Sequence, residues 1–145
     1  MYRVFSGHSQ PTRYIVDDLY EPERDDYEEM LGGKSREAIE PIDFGYISMS
    51  PLIHLNAAGT AYLLPRLIEI SESGKKDKQG DPFLIRFIIF VSIGPSADQF
   101  SQLNRAQRHC IAKYLEHIKS IHLDLVKREC WDDVLEEALE SWRGE

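Results

Sequence analysis

Four residues between positions 109 and 122 carry an imidazole or a thiol, which are common ligands of transition metals: His109, Cys110, His117 and His122. Cys110 and His117 are seven residues apart, so they would share one face of a helix. A zinc site needs at least three protein ligands, and the sequence offers neither an H-x-x-x-H pair nor a C-x-x-C pair to supply them. We therefore predict no metal site and no cofactor.

Catalytic chemistry has equally little support from motifs. No serine lies in a G-x-S-x-G turn, and no cysteine lies in a protease-type signature. Neighbouring carboxylates such as Asp25 and Asp26 could act as acid and base, but catalytic carboxylates need burial, and charge runs usually mark a solvated helix face. The sequence favours a protein that is not an enzyme. The alternative is a small enzyme without a known motif, whose site lies around His54, His109 or Cys110.

Acidic side chains dominate the charge, since 25 Asp and Glu against 17 Lys and Arg give a net charge of -8. The excess lies at the two ends: residues 1–45 carry net -6 and residues 128–145 net -5, whereas residues 46–127 carry net +3. An acidic surface repels the phosphates of nucleic acids and attracts a basic protein, so we predict the second kind of partner and not the first. The residues predicted to bind it are Glu23, Asp25, Asp26, Glu28, Glu29, Asp132, Asp133, Glu136, Glu137 and Glu140.

Helices are the elements that must position these residues. A chain of 145 residues is expected to form one hydrophobic core, so we predict a single domain over 1–145. The apolar spacing predicts a mainly α, compact bundle of five to six helices, with room for one short pair of strands. Residues 1–12 are predicted as a flexible arm or a short edge strand, residues 42–50 as an extended connection packed on the core, and residues 71–80 as an exposed loop. The predicted helices span 14–20, 22–31, 57–71, 83–92, 105–120 and 131–142.

Residues 83–92 suit two structures. Their β-branched and aromatic side chains would fit a buried strand. Asp81 followed by Pro82, however, is typical of an N-cap with proline at the first helical position, so we favour a helix.

Two asparagines and one proline shape the other central helices. Asn56 and Asn104 are good N-caps for the helices that follow them. Pro65 lies in the middle of the predicted helix 57–71, where it has no amide to donate and clashes with the preceding turn. We expect a kink near Ala61.

Cysteine use and hydropathy predict the compartment. Cys110 and Cys130 have no motif spacing, residues 1–10 have no signal-peptide pattern, and the apolar run 87–91 is far too short to cross a membrane. We predict a cytoplasmic protein with reduced thiols and no membrane partner.

Two sequence blocks resemble a known family. The first is Leu-Asn-Ala-Ala-Gly-Thr-Ala-Tyr-Leu-Leu-Pro at 55–65, and the second is Phe-Ser-Gln-Leu-Asn-Arg-Ala-Gln-Arg at 100–108, followed by Tyr114-Leu115 and Trp142. In this order they resemble a widespread family of small uncharacterised bacterial helical proteins, over about residues 50 to 142. The resemblance implies a bacterial origin and an α-rich fold, and no activity or catalytic residue comes with it. In its size and charge, the chain also resembles the acidic immunity proteins of bacterial toxin–antitoxin systems, which bind and block a basic toxin.

The leading hypothesis is a non-enzymatic protein-binding domain, in its specific form an immunity protein that neutralises a basic bacterial toxin through acidic patches. An adaptor or oligomerisation domain is a further alternative, and it would expose an apolar patch. The sequence is compatible with a monomer or a homodimer.

Overall fold

Helices form nearly all the regular structure of the computed structural model, which describes residues 2–47 and 49–144. The prediction of a mainly α bundle of five to six helices is confirmed. The six α-helices are α1 (Glu21–Leu31), α2 (Ala57–Glu72), α3 (Phe83–Val91), α4 (Arg105–Ile121), α5 (Leu123–Arg128) and α6 (Asp132–Arg143). Short 3₁₀ turns span Tyr2–Phe5, Arg36–Ala38, Pro41–Phe44, Pro51–His54 and Asp98–Phe100. In place of the predicted pair of strands, the described residues show three isolated bridges: Ile15 with Leu55, Tyr46 with Met49, and Lys76 with Pro82.

α3 lies at the centre of the core, because all of its residues except the half-buried Ile89 are buried. Because Phe83–Val91 form an α-helix, the helix prediction for 83–92 is confirmed over the strand alternative. Its start differs from the prediction, since Pro82 occupies the cap position. Asp81 instead belongs to the preceding turn, where its amide donates to the carboxylate of Asp77 at 3.0 Å. Among the described residues, no helix has both the length and the apolar character needed to cross a membrane.

α2 continues through Pro65 without a break. The predicted cap is confirmed: Asn56 Oδ1 accepts the amide of Gly59 at 2.6 Å. Asn56 Nδ2 also donates to the carbonyl of Arg13 at 2.8 Å. Asn56 therefore both caps the start of α2 and ties it to an earlier segment of the chain. Packing of α2 against the buried α3 stabilises the helix despite the amide that Pro65 lacks.

Gly59 lies where α2 meets the backbone of Tyr14. A Cβ atom at Gly59 would lie 2.9 Å from the carbonyl oxygen of Tyr14. We expect Gly59→Ala to destabilise the protein by about 1 to 3 kcal/mol through overpacking, although alanine favours helices by about 1 kcal/mol over glycine. Urea unfolding followed by circular dichroism measures this. Gly144→Ala is the control, because nothing lies within 4 Å of its added Cβ, and a stabilised Gly59→Ala variant would contradict the close approach.

The helix predicted over 14–20 is wrong, because its first residues are bonded to a distant part of the chain. The amide of Val16 donates to the carbonyl of His54 at 2.9 Å, and the amide of Asn56 donates to the carbonyl of Tyr14 at 2.7 Å. These long-range hydrogen bonds satisfy the backbone and outweigh the local apolar pattern.

The N-terminal segment packs on α4 as a 3₁₀ turn, Tyr2–Phe5, with Phe5 fully buried. Gln107 in α4 donates from Nε2 to the carbonyl of Val4 at 2.9 Å. Gln107 Oε1 lies 3.1 Å from His8 Nε2. The same glutamine completes a capping box with Asn104, which confirms that cap.

The segment predicted as an exposed loop over 71–80 has a buried anchor. α2 extends through Glu72, and most of the following residues are exposed. Asp77 is buried, and its Oδ1 accepts the amides of Gln79 at 2.9 Å and Asp81 at 3.0 Å. The segment is therefore an exposed turn organised around one buried carboxylate, that of Asp77.

Candidate functional site

Exposed apolar side chains concentrate in one stretch of the chain. Nine large hydrophobic residues are exposed among the described residues, and five of them lie between residues 42 and 53. These five are 47% to 64% exposed: Ile42, Tyr46, Ile47, Met49 and Ile53. We call this stretch, 42–47 and 49–53, the apolar segment. Grouped apolar exposure of this kind is typical of a binding surface.

A buried arginine holds the backbone of the apolar segment. Arg86, on α3, is only 4% exposed. Its guanidinium donates to the carbonyls of Phe44 and Gly45, both at 2.8 Å, and to Ser50 Oγ at 2.6 Å. It also pairs with Asp77 at 3.2 Å. The segment predicted to pack on the core is therefore fixed through its backbone, while five of its side chains face solvent.

The acidic helix α1 borders the apolar segment. The 3₁₀ turns at both ends of the segment pack on α1, and the rings of Tyr27 and His54 stack with centroids 5.0 Å apart. Met30 lies against Gly45. Asp26 precedes Met30 by four residues and therefore lies on the same side of α1. This places an exposed carboxylate beside the apolar segment.

The start of α6 lies near the middle of the same segment. Ile47 lines a cavity of about 60 Å³ together with Glu129 and Trp131. Trp131 is followed directly by Asp132, the first residue of α6. α6 itself packs on α3, α4 and α5, so of its acidic run only the start lies near the apolar segment, whereas α1 packs on both ends of that segment.

The acidic residues of α1 divide by their contacts. Asp25, Asp26 and Glu29 are exposed. Glu23 accepts the hydroxyl of Tyr27 at 3.3 Å, and is half-buried. Glu28 is engaged inside the protein, because its carboxylate accepts the amides of residues 14 and 15 at 2.9 to 3.3 Å. Of the predicted partner-binding residues on α1, those with carboxylates open to a partner are therefore Asp25, Asp26 and Glu29.

Four of the five predicted acidic residues on α6 are exposed: Asp133, Glu136, Glu137 and Glu140. Asp132 is half-buried at the helix start. Glu136 pairs with Lys119 of α4 at 2.7 Å. The remaining exposed carboxylates project from one helix, consistent with the solvated face that the charge run predicts.

A second cluster of polar side chains surrounds Glu72, the last residue of α2. His117 Nε2 lies 3.0 Å from Glu72 Oε1, and His122 Nε2 lies 3.2 Å and 3.1 Å from its two carboxylate oxygens. The hydroxyl of Tyr114 donates to Glu72 Oε2 at 3.2 Å. The sequence places both histidines near the end of α4 but gives no sign of the carboxylate, which lies 45 and 50 residues earlier.

Electrostatics favour an ionised carboxylate in this cluster. Partial burial raises the pKa of Glu72, but hydrogen bonds from His117 and His122, and their charge, lower it by more, so the pKa lies below its usual value. Burial, and then the neighbouring Glu72 charge, raises the pKa of Tyr114. The tyrosine hydroxyl therefore keeps its proton and remains a donor.

Two cavities adjoin the cluster. Glu72 and His122 line one of about 290 Å³, whose basic residues include Lys76 and Arg128. Glu72 and His117 line another of about 550 Å³ with apolar walls that include Ile68.

The other residues singled out for chemistry lie apart from this cluster. His109 is exposed on α4, and Cys110 beside it is half-buried, with its thiol pKa raised by burial. His54 stacks on Tyr27 next to α1. Of the metal-binding candidates, the structure therefore brings together His117 and His122 only.

No protein-family model, curated protein or solved structure matches the chain. Its class is defined by the fold alone, as a mainly α helical bundle. The resemblance to small bacterial helical proteins stays a prediction.

Proposed function

We propose that this protein is a binding domain for a basic protein partner that docks on the apolar segment. The observation that carries the proposal is the group of five exposed apolar side chains, on a backbone held by Arg86 and bordered by the acidic helix α1 and by the start of α6. Protein interfaces commonly combine an apolar centre with a polar rim. The exposed carboxylates of α1 and those nearest the start of α6 would supply most of that rim, beside Lys78, whose ammonium lies 5.1 Å from the centre of the Tyr46 ring.

The charge of the rim selects the chemistry of the partner. Complementary charge speeds encounter and excludes wrong partners. A fitting partner presents an apolar side chain surrounded by Lys and Arg. Neutralisation of a basic bacterial toxin, as by an immunity protein, is the specific form of this proposal, and the net charge of -8 supports it.

Self-association is the second candidate function, because an exposed apolar patch also suits an oligomerisation domain. In a homodimer through the apolar segment, each copy would bring its acidic helices towards those of the other. Like charges that face each other across an interface cost several kcal/mol. The charge therefore favours a basic partner over a second copy, and sedimentation of the purified chain as a monomer is the expected result.

A random-peptide display library, selected on the immobilised full chain at low salt, tests the proposal. We expect the enriched peptides to combine Lys or Arg with large apolar residues, and their affinity to fall at least tenfold with Met49→Asp, which places a charge at the interface centre. Ile93→Asp is the matched control, because Ile93 is 51% exposed and lies outside the segment.

Salt tests the role of charge independently. Raising salt from about 0.1 M to about 1 M shortens the Debye length from about 10 Å to about 3 Å, so peptide binding should weaken. At low salt, the double variant Asp26→Lys, Glu29→Lys should bind the peptides more weakly than the wild type does. At high salt, the two proteins should bind them with nearly equal affinity. Enriched peptides without basic residues, or equal effects of Met49→Asp and Ile93→Asp, would overturn the proposal.

A further inference from the structure

We propose that Glu72, His117 and His122 form a binding site for a divalent transition metal ion, with Zn²⁺ as its best-fitting member. One carboxylate oxygen and two imidazole nitrogens lie within 4.8 Å of one another. The three side chains come from the end of α2 and from the end of α4, so two helices that are distant in sequence meet at one point.

The distances suit a tetrahedral ion. Zinc bonds of about 2.0 to 2.1 Å to nitrogen and oxygen place neighbouring ligand atoms about 3.3 Å apart. His117 Nε2 is 3.0 Å from Glu72 Oε1, and His122 Nε2 is 3.1 Å from Glu72 Oε2. All three ligand atoms lie within 4.8 Å of one another on exposed or half-buried side chains, so we expect rotation of these side chains to bring them around one ion.

The donor set identifies the kind of metal. Calcium and magnesium prefer oxygen ligands, whereas two imidazoles with one carboxylate suit zinc and similar transition metals. Zinc also adopts this ligand set with a fourth position left to water. Glu72 and His122 both line a cavity of mixed charge, in which Lys76 and Arg128 face Asp81 and Glu129, so water is the expected fourth ligand.

Neighbouring groups orient the ligands. The ring of His117 stacks on that of Tyr114, with an interplanar angle of 19° and centroids 5.9 Å apart. The hydroxyl of Tyr114 donates to the Glu72 carboxylate at 3.2 Å. Metal-binding carboxylates and imidazoles are typically fixed by such second contacts, which strengthen binding. Tyr114 is therefore a positioning residue for two of the three ligands.

Isothermal titration calorimetry of the reduced full chain tests the site, with ZnCl₂, MgCl₂ and CaCl₂ in separate runs. We expect one Zn²⁺ per chain, and no binding of Mg²⁺ or Ca²⁺ at the same concentrations. His117→Gln, His122→Gln and Glu72→Gln should each weaken zinc binding at least tenfold, because each removes one ligand or its charge. Circular dichroism shows whether each variant is folded. If one variant does not fold, the test rests on the other two.

His109→Gln is the matched control, since His109 is another exposed histidine of α4 outside the cluster, and it should leave the affinity unchanged. Tyr114→Phe should weaken binding by about 10-fold or more through the loss of a second contact. Cobalt(II) titration adds a spectroscopic readout: tetrahedral d–d bands without a thiolate charge-transfer band are expected. Thiolate bands that disappear with Cys130→Ser, or equal zinc affinity in the wild type and Glu72→Gln, would overturn the proposal.

Discussion

Replacing Arg86 by methionine is expected to destabilise the protein by about 3 to 5 kcal/mol. The substitution leaves the Asp77 carboxylate buried without its cation, and the carbonyls of Phe44 and Gly45 lose their donors. Buried polar groups without partners each carry a desolvation cost. Because domains of this size are usually stable by only about 5 to 15 kcal/mol, much of the stability would be lost. Urea unfolding at neutral pH measures the change.

Arg66→Met is the matched control for this prediction. Arg66 also donates to a carbonyl and pairs with Glu40 at 2.7 Å, but that carboxylate is 41% exposed. We expect a loss of about 1 to 2 kcal/mol, because water replaces the missing partner of an exposed group. Adding Asp77→Asn to Arg86→Met should restore part of the stability, since it removes the unpaired charge. Equal losses for Arg66→Met and Arg86→Met would refute the importance of the buried pair.

Trp142→Ala is expected to cost about 3 to 5 kcal/mol, the usual range for deleting a large buried aromatic side chain. Trp142 is fully buried near the end of α6 and meets the ring of Phe100 edge-on, with centroids 5.0 Å apart. Its Nε1 donates to the carbonyl of Val91, the last residue of α3, at 2.9 Å. The variant therefore removes both the packing and the hydrogen bond that attach α6 to the central helix.

Two further variants separate these contributions. Trp142→Phe retains an aromatic ring but leaves the Val91 carbonyl without this donor, so we expect a smaller loss of about 1 to 3 kcal/mol. Trp131→Ala should cost less than Trp142→Ala, because Trp131 is only half-buried. Far-ultraviolet circular dichroism is used to follow unfolding, because replacing either tryptophan would itself change the fluorescence of the protein. A Trp142→Ala variant as stable as Trp131→Ala would contradict the docking of α6.

The helices were predictable because local signals specify them. Asn56 and Asn104 cap α2 and α4 as their positions predict, and the apolar run of α3 proved helical. Residues 14–20 show the limit of local reasoning. Their apolar pattern suits a helix, but hydrogen bonds to residues about 40 positions away hold Tyr14 and Val16 in another conformation.

The acidic runs were visible in the sequence, whereas the apolar segment was not. Ile42, Tyr46 and Met49 belong to a stretch whose composition suggests burial. They are exposed because Arg86, about 40 residues away, holds the backbone beneath them. Sequence spacing likewise could not predict that Glu72 lies beside His117 and His122, because that contact between α2 and α4 is tertiary.

The docking of the N-terminal turn on α4 also has a consequence for how the chain is made. The side chain of Gln107 that bonds His8 is synthesised 99 residues later. At about 5 to 20 residues per second, translation needs about 5 to 20 s to supply it. During that interval Phe5 has no completed core in which to be buried. The 3₁₀ turn Tyr2–Phe5 therefore cannot complete its contacts until α4 has been synthesised, although α2, on which it also packs, is made earlier.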